Sequence, residues 1–313
     1  MRKKVSLFII VAMLAVFAAA CGTKEEEKTS GTKSEKITVK HELGETKVAK
    51  NPKKVVVFDF GSLDTLDKLG VEIAGLPQEN VPKYLSKYED KKYANLGGLK
   101  EPDFEKINEL QPDLIIISGR QQDSYDQFSE IAPTIYMAVD TNKYMESFEG
   151  NVQTLAKIFD KEKEANTELD KIKKDVAALK DKGEATDKSG LIILANDGKV
   201  SAYGPASRFG IIHDEFGIKP VDKNIEVSTH GQSISMEYIS EKNPDYLFVV
   251  DRGAVAGDGA SSAKSVVEND LVKKTNAFKD GHIVYLDPDY WYLSGGGLES
   301  VASMVKEVDS KVK

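Results

Sequence analysis

Two stretches of the sequence, residues 103–120 and 235–252, share one pattern. DFEKINELQPDLIIISGR and SMEYISEKNPDYLFVVDR align without a gap and are identical at six positions. Each has apolar residues at helical spacing, then a Pro-Asp turn, then an apolar run of strand length. Strand-like and helix-like segments alternate in the same way along the chain, which predicts an α/β fold with mostly parallel sheets. The internal repeat predicts two similar lobes of this kind.

The middle of the chain has a different pattern. Residues 160–182 contain no glycine or proline, and Asp160 is a suitable N-cap. We therefore predict one rigid helix of roughly 30 Å that connects an N-terminal lobe, residues 37–159, to a C-terminal lobe, residues 183–313. The ligand cleft would lie between the lobes. A coiled-coil seam is the alternative, but three heptads are too few to favour it. The apolar positions of the predicted helix are Ala165, Leu169, Ile172, Val176 and Leu179.

The N-terminus predicts export. Residues 1–20 combine the basic MRKK with the apolar VSLFIIVAMLAVF, which is typical of a secretory signal peptide. Cys21 is the only cysteine, and we predict that it carries a lipid. Lipid-attachment sites usually have leucine three residues before the cysteine, where this chain has Ala18. The alternative is therefore cleavage nearby with an unmodified Cys21. Residues 21–36 are polar and predict a flexible tether. The protein would then be anchored on the extracytoplasmic face of the cell membrane.

The composition restricts the class of partner. The 313-residue chain is 40% apolar and 30% charged, as in soluble globular proteins. Its formal net charge of -8 argues against nucleic-acid binding, which requires a basic face. We expect a monomer without a nucleic-acid partner.

Arginine is rare in this chain and has unusual positions. Of 43 basic residues four are arginine, and one of these, Arg2, lies in the signal peptide. Arg120 and Arg252 each follow an apolar run, so both are predicted at the carboxyl end of a strand, where parallel α/β sheets bind ligands. Arg208 is predicted in the first turn of a helix that begins at about Pro205, where a bound anion is favoured.

These three arginines predict an anion site. The guanidinium group is planar and binds oxyanions with paired hydrogen bonds, which the lysine ammonium does not. We interpret Arg120, Arg208 and Arg252 as a basic triad for a polyanionic ligand. The alternative is three structural salt bridges to backbone or carboxylate groups.

Aromatic and histidine side chains supply further candidates. Tyr290, Trp291 and Tyr292 follow the strand-like HIVYLD and cannot all point into one core, so Trp291 and Tyr292 are candidates for ligand contact. Alternatively, this segment is a hydrophobic clamp on the C-terminal helix. Tyr203, just after a predicted strand, and His230, in the polar STHGQS, are further ligand-binding candidates, although His230 equally suits an exposed position.

Direct metal binding and catalysis are not predicted. The histidines are scattered without metal-binding spacing. Neither a nucleophile elbow nor a P-loop nor a GxGxxG motif after a strand is present. The sequence therefore favours a binding protein over an enzyme. The four histidines are His41, His213, His230 and His282.

The repeat also matches Glu105 with Glu237, each early in its predicted helix. A carboxylate at that position is favoured by the helix dipole, which is a sufficient structural explanation. Matched acids on the same surface of both lobes would also suit the docking of a symmetric partner.

Several stretches resemble the iron-siderophore substrate-binding lipoproteins of ABC importers, whose two lobes are joined by a single long helix. They are NPKKVVVFDFGSLDTLDKLG, LGGLKEPDFEKINELQPDLIII and ISMEYISEKNPDYLFVVDRG. The resemblance covers everything after the tether. Within this family GPASRFGIIHDEFG, STHGQS and WYLSGGGLES are most similar to the petrobactin-binding lipoproteins of Gram-positive bacilli.

The resemblance implies a function and a division of roles. Arg120, Arg208 and Arg252 would form the family's basic triad for an anionic ferric siderophore, with the mixed catecholate-citrate siderophore petrobactin as the first expectation. Iron(III) would be held by the siderophore, and no cofactor would be bound directly. Glu105 and Glu237 would dock the membrane permease. The single connecting helix implies that the lobes close only slightly.

Other functions remain as alternatives. The same fold could bind haem, a hydroxamate siderophore or a cobalamin. Haem requires an axial ligand, and Met236 and His230 are not an evident pair. An uncharged hydroxamate complex would not need three arginines. An enzyme or a surface adhesin on this scaffold is the third possibility, but the sequence shows no general base or nucleophile beside a perturbing partner.

Overall fold

The computed structural model describes residues 35–256 and 262–313. The predicted signal peptide, Cys21 and nearly all of the tether therefore lie outside the described residues. Within those residues, no helix is both long and apolar enough to cross a membrane. The described chain begins with an antiparallel hairpin of β1 (Lys36–His41) and β2 (Gly44–Ala49).

Five parallel strands form the first sheet. They are β3 (Val55–Val57), β4 (Gly75–Leu76), β5 (Ala94–Asn95), β6 (Leu114–Ile117) and β7 (Thr134–Tyr136). Their order across the sheet is β5-β4-β3-β6-β7. The central strands β3 and β6 are continuous apolar runs and are fully buried. Such runs are typical of parallel strands that are covered on both faces.

The second sheet is mixed. Its strands are β8 (Ser189–Asn196), β9 (Lys199–Tyr203), β10 (Lys219–Pro220), β11 (Gln232–Ile234), β12 (Tyr246–Asp251) and β13 (Ile283–Leu286). Strands β10, β8, β12 and β13 are parallel to one another, whereas β9 pairs antiparallel with β8 and β11. The prediction of an α/β fold with mostly parallel sheets in two lobes is confirmed.

Helices cover both sheets. Those of the first half are α1 (Phe60–Lys68), α2 (Phe104–Leu110), α3 (Tyr125–Ile131) and α4 (Tyr144–Ile158). A long helix, α5 (Glu162–Ala185), lies between the strands of the two sheets in the chain. The later helices are α6 (Ile211–Asp214), α7 (Met236–Lys242), α8 (Gly253–Ala256), α9 (Ala263–Val267), α10 (Asn276–Lys279) and α11 (Leu298–Asp309). Short 3-10 helices cover Lys83–Glu89, Gly119–Ser124, Thr141–Lys143 and Val272–Lys274, and a π-helix covers Asp289–Ser294.

The repeated sequence forms the same unit in both lobes. Helices α2 and α7 begin with side-chain caps, Asp103 accepting from Lys106 N and Ser235 from Tyr238 N. Each helix ends at a left-handed residue, Gln111 with φ 50° and Asn243 with φ 46°. The chain then turns into the central strand β6 or β12. The helix-turn-strand interpretation of the repeat is therefore correct in both copies.

The long helix α5 differs from the prediction at both ends. Asp160 is not its N-cap, because this residue has a positive φ of 53°. The Asp160 carboxylate instead accepts hydrogen bonds from Lys50 Nζ and Asn51 Nδ2. The helix also continues past Lys182 through Gly183 to Ala185. A Cβ at Gly183 would collide with the Phe216 carbonyl, so glycine here permits close packing against the second lobe.

The helix predicted from Pro205 is absent. Residues 205–210 form turns, and only the four residues of α6 are helical in this segment. Ala206 has a left-handed φ of 57°, which is incompatible with a helix that starts at Pro205. Arg208 therefore lies in a turn, and the expectation that a helix N-terminus supports its site is wrong.

One hydrophobic core cluster joins the two lobes. It contains Phe148 and Val152 of α4, the apolar stripe of α5, and Phe248 of the second sheet. Val301 of the C-terminal helix α11 belongs to the same cluster. Because this core is continuous, relative movement of the lobes would expose or repack buried apolar surface.

Candidate ligand-binding site

Arg120 and Arg252 lie directly after central strands. Arg120 follows β6, in the 3-10 helix Gly119–Ser124, and Arg252 is the residue after β12. Both strands run parallel to their neighbours, so each arginine lies at the carboxyl edge of its sheet. Both positions agree with the sequence prediction.

All three arginines converge on Tyr292. Arg120 Nη2 and Arg208 Nη2 each donate to the Tyr292 carbonyl oxygen at 2.6 Å. Arg252 Nε donates to the Tyr292 hydroxyl at 2.9 Å. The central guanidinium carbons of Arg120, Arg208 and Arg252 lie 5.7, 4.3 and 5.9 Å from the centroid of the tyrosine ring. One residue therefore brings together three cations that are far apart in the sequence, in positions that also permit cation–π attraction.

The other partners of the arginines are neutral oxygens. Arg120 Nη1 donates to the Leu293 carbonyl at 3.4 Å, and Arg252 Nη1 donates to Asn196 Oδ1. Within the described part of the chain, none of the three arginines forms an ion pair with a carboxylate. The backbone contacts of the structural alternative are thus present, but its carboxylate bridges are not. Three positive charges remain available to an anion.

The backbone of Tyr292 accepts these bonds because a helix ends here. The π-helix Asp289–Ser294 is closed by Gly295, which has a positive φ of 37° and whose N–H bonds the Tyr290 carbonyl at 2.8 Å. The last carbonyls of a helix have no N–H donor within it and need donors from elsewhere. The carbonyls of Tyr292 and Leu293 receive those donors from the arginines.

Electrostatics of the cluster favour a bound anion. Burial and the neighbouring charge of Arg208 lower the pKa of Arg120 to about 10, so Arg120 is still protonated at neutral pH. Burial would raise the pKa of Tyr292, but the hydrogen bond from Arg252 and the charges of the three arginines outweigh it and lower that pKa. Neighbouring guanidinium charges contribute to both shifts, and an anionic ligand would relieve this concentration of positive charge.

A cavity of about 240 Å³ opens beside this cluster. Arg252, Tyr292 and Leu293 line it from the second lobe, and Arg120 from the first. Arg208 does not line the cavity itself but contacts Tyr292, which does. The remaining lining comes from the first lobe and consists of Glu79, Asn80, Leu99, Lys100 and Glu101.

The sequence analysis missed these first-lobe residues and also Asn196. Glu79 and Asn80 follow β4, Lys100 and Glu101 follow β5, and Asn196 ends β8. All of these strand ends lie at the carboxyl edges that bear the arginines. Arg120 and Arg252 were predicted from the rule that parallel sheets bind ligands at the carboxyl ends of their strands, and the same rule applies to these residues. Strands β4 and β5 are only two residues long, however, and therefore leave little signal in the sequence.

Two predicted ligand residues lie in the core instead. Trp291 is only 2% exposed and its Nε1 donates to Glu307 Oε2 of α11 at 2.8 Å, so it clamps the C-terminal helix as the alternative proposed. Tyr203 is 1% exposed and packs edge-on against Phe209. Of the aromatic candidates, Tyr292 is the one that reaches the cavity, and the expectation for Trp291 is corrected.

His230 lies on an exposed turn between β10 and β11. No hydrogen bond from its ring to another described residue is present, and it does not line the cavity beside the arginines. Its exposed position leaves its part in ligand binding as a prediction.

Glu105 and Glu237 occupy equivalent positions in the two lobes. Each is exposed and is the second residue of its helix, α2 or α7. The pKa of Glu237 is lowered by hydrogen bonding to its own backbone N–H and to Ser235. Their exposure is compatible with docking of a partner.

The described residues contain no group of three or more histidine, cysteine, aspartate or glutamate side chains arranged to hold a metal ion. The site they form is a cationic cleft between two α/β lobes that are joined by a helix. This arrangement defines the class of a two-lobed solute-binding protein.

The comparisons with known proteins agree with this class. The chain belongs to the periplasmic binding protein family, whose pattern matches residues 55–290. It is 60% identical over 311 residues to the petrobactin-binding protein YclQ of Bacillus subtilis, a match that covers 98% of each chain.

Solved structures show the same relationship. The crystal structure of YclQ matches with a TM-score of 0.87 at 62% identity, over 89% of this chain and 99% of that chain. The periplasmic catecholate-siderophore binding protein VctP of Vibrio cholerae matches with a TM-score of 0.84 at 36% identity, over 88% of this chain and 100% of that chain. The fold and the family are therefore those of siderophore-binding proteins.

Proposed function

We propose that this protein captures a ferric catecholate-type siderophore outside the cytoplasmic membrane, most specifically ferric petrobactin, and delivers it to an ABC permease for iron uptake. The observation that carries the proposal is the convergence of Arg120, Arg208 and Arg252 on Tyr292, with no carboxylate of residues 35–256 or 262–313 paired to them. The petrobactin-binding relative supports the choice of ligand.

The arginines can supply a large part of the free energy that tight binding requires. A charge-assisted hydrogen bond contributes roughly 1.5–3 kcal/mol. Three such bonds would supply about 5–9 kcal/mol of the roughly 12 kcal/mol that a nanomolar complex requires, although they are not expected to add independently. Contact of the ligand with Tyr292 and Leu293 would contribute apolar burial.

Iron(III) enters this account as cargo. The siderophore would hold the metal, and the protein would contact the outer oxygen atoms and rings of the chelate. The proposal requires no resident cofactor and no catalytic step, and membership of the periplasmic binding protein family supports a binding role.

The remaining parts of the chain have transport roles in this proposal. Residues 37–159 and 183–313 act as the two lobes, residues 160–182 connect them, and Glu105 and Glu237 dock the permease. Lipidated Cys21 and the tether, residues 21–36, would keep the monomeric protein at the membrane after removal of residues 1–20.

Uptake of radiolabelled ferric petrobactin tests the whole proposal. The assay uses a bacterium whose own petrobactin-binding protein has been deleted and that expresses this chain. Restored uptake is the expected result. Failure to restore it, while the purified protein binds the ligand, would contradict the delivery role. Restored uptake of haem, a ferric hydroxamate or a cobalamin, but not of ferric petrobactin, would assign one of the alternative ligands.

A further inference from the structure

The cavity beside the arginines is not lined by cations alone. Glu79 and Glu101, which we call the acidic wall, line the same cavity as Arg120 and Arg252. Lys100 lines this cavity as well. Across residues 35–256 and 262–313, neither carboxylate of the acidic wall is in an ion pair. An anion site thus carries two unpaired negative charges on one side.

The backbone fixes the acidic wall next to the arginines. Gln121 is the residue after Arg120, and its Nε2 donates to the Leu99 carbonyl at 2.6 Å. Leu99 belongs to a turn, residues 98–101, in which Gly98 N donates to the Glu101 carbonyl at 3.1 Å. These two hydrogen bonds connect the backbone of the turn that carries Lys100 and Glu101 to the segment that carries Arg120.

Glu79 contacts the same turn. Its carboxylate packs against Gly98 so closely that a Cβ at that position would collide with it. Glu79 itself follows β4, the strand that lies beside β5 in the sheet. Two adjacent strand ends thus present one carboxylate each to the cavity.

A ligand with negative charge on every side would not suit this cavity. Contact with the acidic wall would bring like charges together and would remove both carboxylates from water without a partner, which is unfavourable. A ligand that presents ammonium or N–H groups on that side would instead form charge-assisted hydrogen bonds. The pattern of charges therefore calls for a negative centre and positive arms.

We propose that Glu79 and Glu101 determine specificity by recognising ammonium groups on the arms of the chelate while the arginines bind its anionic metal centre. This inference rests on the proposed function and makes it narrower, since the ligand becomes a zwitterionic ferric catecholate. Simple anionic ferric catecholates then bind more weakly than chelates of the same size whose linkers are protonated.

Two matched chelates test the proposal. The first is the ferric complex of a bis(catechol) built on a triamine that is acylated at both terminal nitrogens, so that its central nitrogen is a secondary ammonium. The second is the same chelate with that nitrogen acetylated and therefore neutral. Calorimetric titration measures the dissociation constant of each for the wild type, for Glu79→Gln with Glu101→Gln, and for the control Glu130→Gln, an exposed glutamate of α3.

The double variant should bind the ammonium chelate about tenfold more weakly than the wild type, from the loss of a charge-assisted bond. Its affinity for the acetylated chelate should stay the same or increase, because a repulsion is removed. Glu130→Gln should change neither affinity. Unfolding temperatures of all variants establish that each is folded.

The outcomes separate this inference from the proposed function. Tight wild-type binding of both chelates, with equal effects of the double variant on the two, would overturn the role of the acidic wall and leave the siderophore function intact. No wild-type binding of either chelate would contradict this inference, whereas the proposed function is tested separately by the binding of ferric petrobactin.

Discussion

At the scale of single residues, the site depends on what arginine can do and lysine cannot. Each guanidinium has several donors in one plane, so it can bond the Tyr292 carbonyl or hydroxyl and still offer N–H groups to a ligand. A lysine ammonium would concentrate its charge on one atom and would be more strongly hydrated. The chain is rich in lysine elsewhere, and the lysine ion pairs of the described residues lie mostly on the surface.

Arg208 supplies the sharpest prediction at this scale. Its guanidinium carbon lies 4.3 Å from the Tyr292 ring centroid, the shortest such distance of the three arginines. Arg208→Ala should weaken ferric siderophore binding by about tenfold or more, because a charge-assisted bond is lost. Calorimetry measures the dissociation constant, with Lys219→Ala as a control, since Lys219 pairs with Asp187 on the surface. An unchanged dissociation constant would leave Arg208 with a structural role only.

At the scale of elements, the apolar runs predicted the central strands because burial on both faces leaves a strong sequence signal. The repeat predicted α2-β6 and α7-β12 for the same reason. The predictions of a helix from Pro205 and of an N-cap at Asp160 were wrong because one residue's backbone conformation decides each structure. Ala206 and Asp160 adopt left-handed conformations that the residue type does not predict. The prediction that Trp291 contacts the ligand was wrong because the burial of this side chain depends on how α11 packs. Helix α11 packs against both lobes, and the sequence around Trp291 does not show this.

Helix α11 has an unusual cap. Its first N–H groups are bound by Asp64 of α1, which accepts from Glu299 N and Ser300 N at 2.7 Å. Tyr84 also donates to this carboxylate at 3.0 Å. Asp64 is fully buried, and this burial raises its pKa to about 6. An ionisable group of the first lobe therefore holds the helix that follows Tyr292.

The shift gives stability a defined pH dependence. The pKa of Asp64 is higher in the folded protein than the ordinary 3.8, so the folded state binds the proton more tightly. The stabilisation that Asp64 gives to the folded state is therefore present in full below about pH 4 and is lost as the pH rises through 6. The free energy of unfolding should fall by about 3 kcal/mol over this range, because each pKa unit corresponds to about 1.36 kcal/mol. Urea unfolding at a series of pH values should show this decline in the wild type and not in Asp64→Asn.

Asp123→Asn is the control for that experiment, because Asp123 is exposed and should leave the pH profile unchanged. Identical profiles for the wild type and Asp64→Asn would show that Asp64 does not titrate in this range.

At the scale of the whole molecule, the core continuous through α4, α5 and α11 predicts limited lobe movement. Spin labels on Glu130→Cys and Lys264→Cys, in the soluble form that lacks Cys21, would report the distance between α3 of the first lobe and α9 of the second. Ferric siderophore should leave the distance distribution nearly unchanged. A clear shift to shorter distances on binding would show that the lobes close despite the shared core.

In the proposed transport role, Glu105 and Glu237 dock the permease, one from each lobe. Replacing both with lysine should abolish uptake and leave binding intact, because both residues are exposed and neither lines the cavity. Glu109→Lys with Glu241→Lys is a matched control, since these exposed glutamates lie one turn further along the same helices. Loss of ligand binding by the purified Glu105 and Glu237 variant would contradict the docking role.

The central claim is that the arginine cluster binds an anionic ferric chelate. Calorimetric titration of ferric petrobactin into residues 22–313, with an uncharged ferric hydroxamate as the comparison, tests it most directly. We predict a nanomolar dissociation constant for ferric petrobactin that weakens as salt is added, and no comparable binding of the hydroxamate. Equal affinity for the two complexes, or tight binding that salt does not affect together with no response to Arg208→Ala, would contradict the claim.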